Sequence, residues 1–70
     1  MRYILMDWKN GDLFDEEFTT IEAALEKGEE EWNRLTEYDK KLRSAFCVLA
    51  TEYDADCEKA YDGTVVKRWK

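Results

Sequence analysis

The sequence predicts an α+β domain in which a mostly antiparallel sheet carries one main helix packed on one face. Three observations predict this class: apolar runs of strand length lie near both ends of the chain, an Asn10-Gly11 dipeptide follows the first run, and one amphipathic helix lies between the runs. The expected order is strand, strand, helix, short helix, strand, strand. Seventy residues leave room for a single domain, residues 1–70.

The first two strands are expected to form a hairpin. Residues 2–8 contain a continuous apolar run, and both residues of Asn10-Gly11 tolerate the positive φ of a tight turn. A two-residue turn would pair Trp8 with Leu13, whereas a bulge would shift this register. The acidic run at residues 15–17 is expected either to end the second strand or to make it an exposed edge.

The main helix is expected to begin at Thr19 or Thr20, because Thr19 as N-cap would place Glu22 in a capping box. Its apolar face recurs every three or four residues, at Ile21, Leu25, Gly28, Trp32 and Leu35. Trp32 is the expected central anchor of this face. Gly28 is expected where the helix comes closest to the sheet, because a glycine inside a helix otherwise costs about 0.5–1 kcal/mol.

The second half is expected to contain a short helix over residues 37–43 and two further strands. The best strand of the chain covers residues 45–52, an acidic connection with one helical turn covers residues 53–62, and the last strand begins at Thr64. One helix covers only one face of such a sheet, so the other face is expected to be partly exposed.

The net charge disfavours nonspecific binding of nucleic acid. Eleven Lys and Arg residues against seventeen Asp and Glu residues give a charge of −6, and neutralisation of phosphates is the main source of such affinity. The charge is unevenly distributed, because residues 1–39 carry four basic and twelve acidic side chains whereas residues 40–70 carry seven and five. An acidic first half and a mildly basic second half can orient a partner.

The residue types needed for most catalytic and metal chemistry are absent. Without histidine, Ser-His-Asp and Cys-His catalysis are excluded, and two cysteines are too few for a zinc site. Asp54, Asp56 and Glu58 alternate like the start of a calcium-binding loop, but Lys59 and Val65 stand where glycine and glutamate are needed. The chain is therefore predicted to be no enzyme and to bind no metal or cofactor.

The two cysteines favour a reducing compartment. A secreted chain of this length usually carries several disulfides, and neither a signal peptide nor an apolar stretch of about 20 residues is expected here. The prediction is a cytoplasmic protein without a membrane partner. Cys47 lies in an apolar strand and is expected to be buried, whereas Cys57 lies in the acidic connection.

Three short sequence patterns occur together along the chain. The central pattern is the stretch Trp32-Asn33-x-Leu35-Thr36, preceded by a helix start with Phe18, Thr20, Glu22 and Ala24. The third pattern is the ending, with Gly63, Val65, Val66 and Trp69. Together they resemble the patterns of small uncharacterised proteins from gut bacteria and their mobile elements. The resemblance implies a small bacterial cytoplasmic protein and assigns no activity to any residue.

The leading hypothesis is a non-enzymatic accessory protein that binds another protein. The missing catalytic apparatus, the small size and the acidic helix face favour it. The carboxylates expected on that face, away from the apolar residues, are Glu22, Glu26, Glu29 and Glu30. None of them is expected to take part in packing.

The alternative hypothesis is a small module that binds nucleic acid through the basic residues of the second half. Its residues would be Lys40, Lys41, Arg43, Lys67, Arg68 and Trp69. A ring between cations is the minimum for stacking a base beside a phosphate. The competing structural interpretation has Trp69 packed on the sheet, with the neighbouring cations facing water.

Overall fold

The computed structural model describes residues 1–69 and confirms the α+β fold. Lys70, the last basic residue of the chain, lies outside the described residues. The elements in order are strands β1 (Arg2–Lys9) and β2 (Asp12–Phe18), helices α1 (Ile21–Arg34) and α2 (Glu37–Leu42), strand β3 (Arg43–Thr51), a 3-10 helix (Glu58–Asp62) and strand β4 (Thr64–Arg68). Each neighbouring pair in the sheet is antiparallel, and the strand order is β2-β1-β3-β4. Among the described residues, no helix is long and apolar enough to cross a membrane.

The hairpin forms with the predicted two-residue turn. Asn10 and Gly11 have φ values of 50° and 94°, and Trp8 pairs with Leu13. The acidic run does not end β2, which continues to Phe18 as an edge strand. It continues because every residue of β2 pairs with β1 and because Phe18 packs against the core at the far end.

The core lies between α1 and the sheet face that carries Leu5, Phe46 and Val48, which we call the helix-side face. These side chains form one buried cluster with Ala24 of α1 and with Trp69, which follows β4. Tyr3, Phe18, Leu25, Trp32 and Leu35 pack around the cluster and are partly buried. The burial of this apolar surface is the main force that holds the helix on the sheet.

Of the two N-caps that the sequence allowed for α1 one is confirmed, and the prediction of its central anchor is wrong. The N-cap is Thr20, whose Oγ1 accepts a hydrogen bond from Ala23 N at 3.3 Å, so Thr19 and Glu22 form no capping box. The buried residues of the helix are Ala24 and Gly28, whereas Trp32 packs on the core from its edge. The large ring beneath the middle of the helix comes instead from Trp69.

Gly28 is the point of closest approach of α1, as its place on the apolar face predicts. A Cβ atom at this position would lie 2.7 Å from Cζ2 of Trp69, well inside van der Waals contact. The indole cannot easily move away. Its Nε1 donates a hydrogen bond to Glu29 Oε1 at 2.8 Å, and its ring packs edge-on against Phe46 at 5.3 Å between centroids.

We therefore expect Gly28→Ala to destabilise the protein by about 1–3 kcal/mol through overpacking, although alanine is the better helix former by up to about 1 kcal/mol. Chemical denaturation measures this change. In a Trp69→Leu background the clash is absent, so the same substitution should be neutral or stabilising. Equal effects in both backgrounds would contradict the assigned contact.

The opposite face of the sheet is more covered than the sequence predicted. Ile4, Cys47 and Leu49 point away from α1 and are nevertheless almost completely buried. The cover is the β3–β4 connection, residues 52–63, in which Ala60 is also fully buried. A long connection between two neighbouring strands thus closes the half of the sheet that a single helix leaves open.

Polar contacts fix the connection to the acidic edge strand. The Tyr61 hydroxyl donates to Asp15, and Ala55 N donates to Glu17 Oε1 at 3.3 Å. This hydrogen bond to Asp15 raises the pKa of Tyr61 to about 12. The phenol therefore stays protonated through the neutral range, and the contact is lost only as the pH rises to that value.

We expect Tyr61→Phe to loosen the connection and to speed alkylation of Cys47 by iodoacetamide by roughly tenfold, since a hydrogen bond to a charged group contributes about 1.5–3 kcal/mol. Burial raises the pKa of the Cys47 thiol, an effect that Arg68 partly offsets. The variant and the wild type are compared at one pH, so that the raised pKa of the thiol slows labelling in both proteins. Tyr53→Phe, in the exposed part of the same connection, is the matched control. Equal labelling rates in all three proteins would show that Tyr61 does not hold the cover.

Candidate functional site

A basic groove of about 520 Å³ lies where α2 meets the ends of β3 and β4. Three basic residues, Lys40, Lys41 and Arg43, line it, and its aromatic walls are Trp32, Phe46 and Trp69. Arg68 also borders the groove, but it pairs with Cys47 and so directs its side chain to the opposite face of the sheet. Glu37, Ser44 and Ala45 complete the lining. Five of the six residues predicted for nucleic-acid binding thus border one site, although they come from two separate segments of the chain. The sixth, Lys67, does not line the groove.

Chain geometry explains this convergence. Thr36 caps α2 by accepting a hydrogen bond from Asp39 N at 3.1 Å, and α2 leads into β3 with no intervening loop. The cations of the last turn of α2 therefore lie at the start of β3. Because β4 runs antiparallel to β3, its final residue, Arg68, returns to the same end of the sheet, and Trp69 N donates to Phe46 O at 2.9 Å there.

A β-bulge places Arg43 in the groove. Trp8 pairs with Ala45, but the next residue, Lys9, pairs with Arg43, so one residue of β3 is skipped. Without the bulge Arg43 would share a face with Ala45 and point away from α1, because side chains alternate along a strand. With the bulge it lies on the helix-side face beside Asp7.

Arg43 is a buried cation with unused donors. Its side chain is 10% exposed, and its Nε lies 3.1 Å from Asp7 Oδ1. This contact is an ion pair and not an aligned hydrogen bond, since neither Nε nor Nη1 of Arg43 has a hydrogen-bond acceptor among residues 1–69. Burial raises the pKa of the Asp7 carboxyl, and the charges of Arg43 and Lys9 partly offset that effect.

The aromatic walls do not offer a stacking platform. Trp69 is 7% exposed and Phe46 is 2% exposed, and the ring of Trp32 is covered by Lys40, whose Nζ lies 5.1 Å from the ring centroid. The structural interpretation of Trp69, packed on the sheet beside cations that face water, is therefore confirmed. Stacking of Trp69 on a base is disfavoured, because the ring is 7% exposed and Lys67 Nζ lies 5.6 Å from its centroid.

The acidic face of α1 is only partly free. All four predicted carboxylates are exposed. Glu30 forms an ion pair with Arg34 at 2.9 Å, and Glu29 accepts the indole hydrogen bond of Trp69. The expectation that none of them takes part in packing is wrong for Glu29, because its carboxylate fixes the ring beneath the helix. Glu22 and Glu26 make no ion pair within residues 1–69.

Sequence reasoning missed Asp7 and Phe46 as parts of the site. The signal for Asp7 was present, because Tyr3, Leu5 and Asp7 alternate on one face of β1 and that face is buried. A carboxylate in a core-facing position requires a cation nearby. The identity of that cation depends on the bulge, which has no sequence signal here.

No protein-family model, curated protein or solved structure matches the chain in the comparisons. The resemblance of the segment around Trp32 and Thr36 therefore remains a prediction.

Proposed function

We propose that the protein is a non-enzymatic binding protein and that its basic groove holds an acidic segment of a partner protein. The observation that carries this proposal is the buried guanidinium of Arg43, which lines the groove. Its Nε and Nη1 have no hydrogen-bond acceptor within residues 1–69. An unsatisfied buried donor costs about 1–3 kcal/mol. Nε and Nη1 are closed to solvent, so a ligand recovers that free energy by drawing the guanidinium toward the groove and supplying an acceptor there.

A carboxylate is the chemical group that suits this arrangement. The planar fork of arginine matches the two oxygens of a carboxylate, and charge-assisted hydrogen bonds are the strongest of their kind. Lys41 is exposed at the mouth of the groove and makes no ion pair within the described part of the chain. It supplies further positive charge for a segment with several carboxylates.

Three observations favour a protein ligand over a nucleic acid. No ring face in the groove is open to a base, Glu37 adds a negative charge to the wall, and the net charge of −6 repels a long polyanion. An acidic peptide segment needs no stacking surface and brings fewer charges. The cytoplasmic and bacterial setting predicted from the sequence belongs to the same proposal.

The test is a titration followed by NMR with two probes, a heptapeptide of glutamate with blocked ends and an oligothymidylate of equal charge. We expect the peptide to shift the amides of residues 40–46 and of Arg68. Lys41→Glu should weaken peptide binding by about tenfold, since it replaces attraction with repulsion at the mouth. Lys59→Glu is the matched control, because this exposed lysine lies outside the groove, and its effect should stay within about twofold.

Arg43→Lys keeps the positive charge and removes the planar fork, so it should weaken binding while the protein stays folded. Tighter binding of the oligothymidylate, with an affinity that falls steeply with salt, would instead favour the nucleic-acid hypothesis. Shifts from neither probe, or equal binding by Lys41→Glu and wild type, would contradict the groove as the site.

A further inference from the structure

The two edges of the sheet carry opposite charge. Edge strand β2 (Asp12–Phe18) has four carboxylates and no cation, whereas edge strand β4 (Thr64–Arg68) has two cations and no carboxylate. Neither edge is paired with another strand among residues 1–69. The groove does not account for this asymmetry, because Lys67 and all residues of β2 lie outside it.

The opposite charges lie in the same rows of the sheet. Lys67 pairs with Val48, Val48 with Leu5, and Leu5 with Glu16. In the next row Arg68 and Asp15 stand at the two ends in the same way, with Cys47 and Met6 between them. Residues of one row point to one face of the sheet. The side chains of Lys67 and Glu16 therefore lie on one face, and those of Arg68 and Asp15 lie on the other.

We propose that a second copy of this chain binds edge to edge, with β4 of one copy pairing with β2 of the next. Three successive antiparallel pairings make β2 and β4 run in opposite directions. Two copies placed side by side in the same orientation therefore bring these strands together as an antiparallel pair. Without any shift in register, Lys67 then lies opposite Glu16 and Arg68 lies opposite Asp15.

Local features of both edges support the pairing. Glu16 makes no hydrogen bond and no ion pair within residues 1–69, so its carboxylate lacks the cation that Lys67 of a neighbouring copy would supply. Opposite charges facing each other across strands contribute about 0.2–1 kcal/mol per pair, and the unshifted register supplies two such pairs, Lys67 with Glu16 and Arg68 with Asp15.

The helices that lie on the sheet leave room for a second copy beside the first. Four strands at about 4.8 Å separate equivalent helices of adjacent copies by about 19 Å, and a helix with its side chains is only about 10–12 Å wide. The contact is heterologous, so it can repeat and build short open chains of copies. The net charge of −6 opposes such growth, and this repulsion is screened beyond about 8 Å at 0.15 M salt. We therefore expect weak association at high protein concentration.

Sedimentation equilibrium of the full chain at 0.15 M salt tests the pairing with a charge-exchange design. Glu16→Lys and Lys67→Glu should each remove the association, because each creates like charges across the contact. The mixture of these two variants should associate again, because each variant then finds the opposite charge on its neighbour. The double variant E16K/K67E should associate as wild type does. Glu22→Lys, at an exposed position that lies on neither edge, should leave it unchanged.

Far-ultraviolet circular dichroism checks that each variant is folded. Lys67 lies on a fully exposed strand. If Glu16→Lys does not fold, the loss of association in Lys67→Glu is therefore the test. A wild-type protein that stays monomeric at millimolar concentration would overturn the proposal. Association that persists in Lys67→Glu, or that the mixture fails to restore, would overturn it as well. Because neither Glu16 nor Lys67 lines the groove, these outcomes do not depend on the proposed peptide binding.

Discussion

The contact between Trp69 and Gly28 is the constraint on which the rest of the structure depends. The indole follows the last strand, fills the space beneath the middle of α1, donates to Glu29 and packs on Phe46. A chain this short can bury only about 60% of its unfolded surface, so one large ring is a major part of its core. The ring joins distant parts of the chain, because it packs the segment after β4 against helix α1.

The packing of Trp69 under α1 also positions the two proposed binding surfaces, the basic groove and the charged edges of the sheet. With Trp69 fixed beneath α1, the end of β4 is held beside the start of β3, which brings Arg68 to the groove that Lys40, Lys41 and Arg43 line. The same packing leaves β4 as an outer strand, with its cations at the height of the carboxylates of β2. The connection that covers the opposite face is fixed to β2 through Tyr61. The two surfaces thus follow from one topology.

The features that the sequence could predict are those set by local chemistry. The turn at Asn10 and Gly11, the cap at Thr36 and the close approach at Gly28 each follow from a few neighbouring residues. What could not be predicted depends on distant pairing. The partner of Gly28 is 41 positions away along the printed sequence, and the convergence of cations requires the strand order. The place of Arg43 requires a bulge of a single residue, since one shift moves a side chain to the other face.

Hydrogen exchange of the α1 amides in a chain that ends at Arg68 is the most direct test of the central claim. Without the Trp69 ring, the helix loses the surface on which Gly28 rests, and α1 should exchange at nearly unprotected rates while the turn at residues 10 and 11 still forms. Trp8→Ala removes an indole that is largely exposed, so this control should keep the protection of the full chain. Protection of α1 that is equal in the shortened chain and in the full chain would contradict the account.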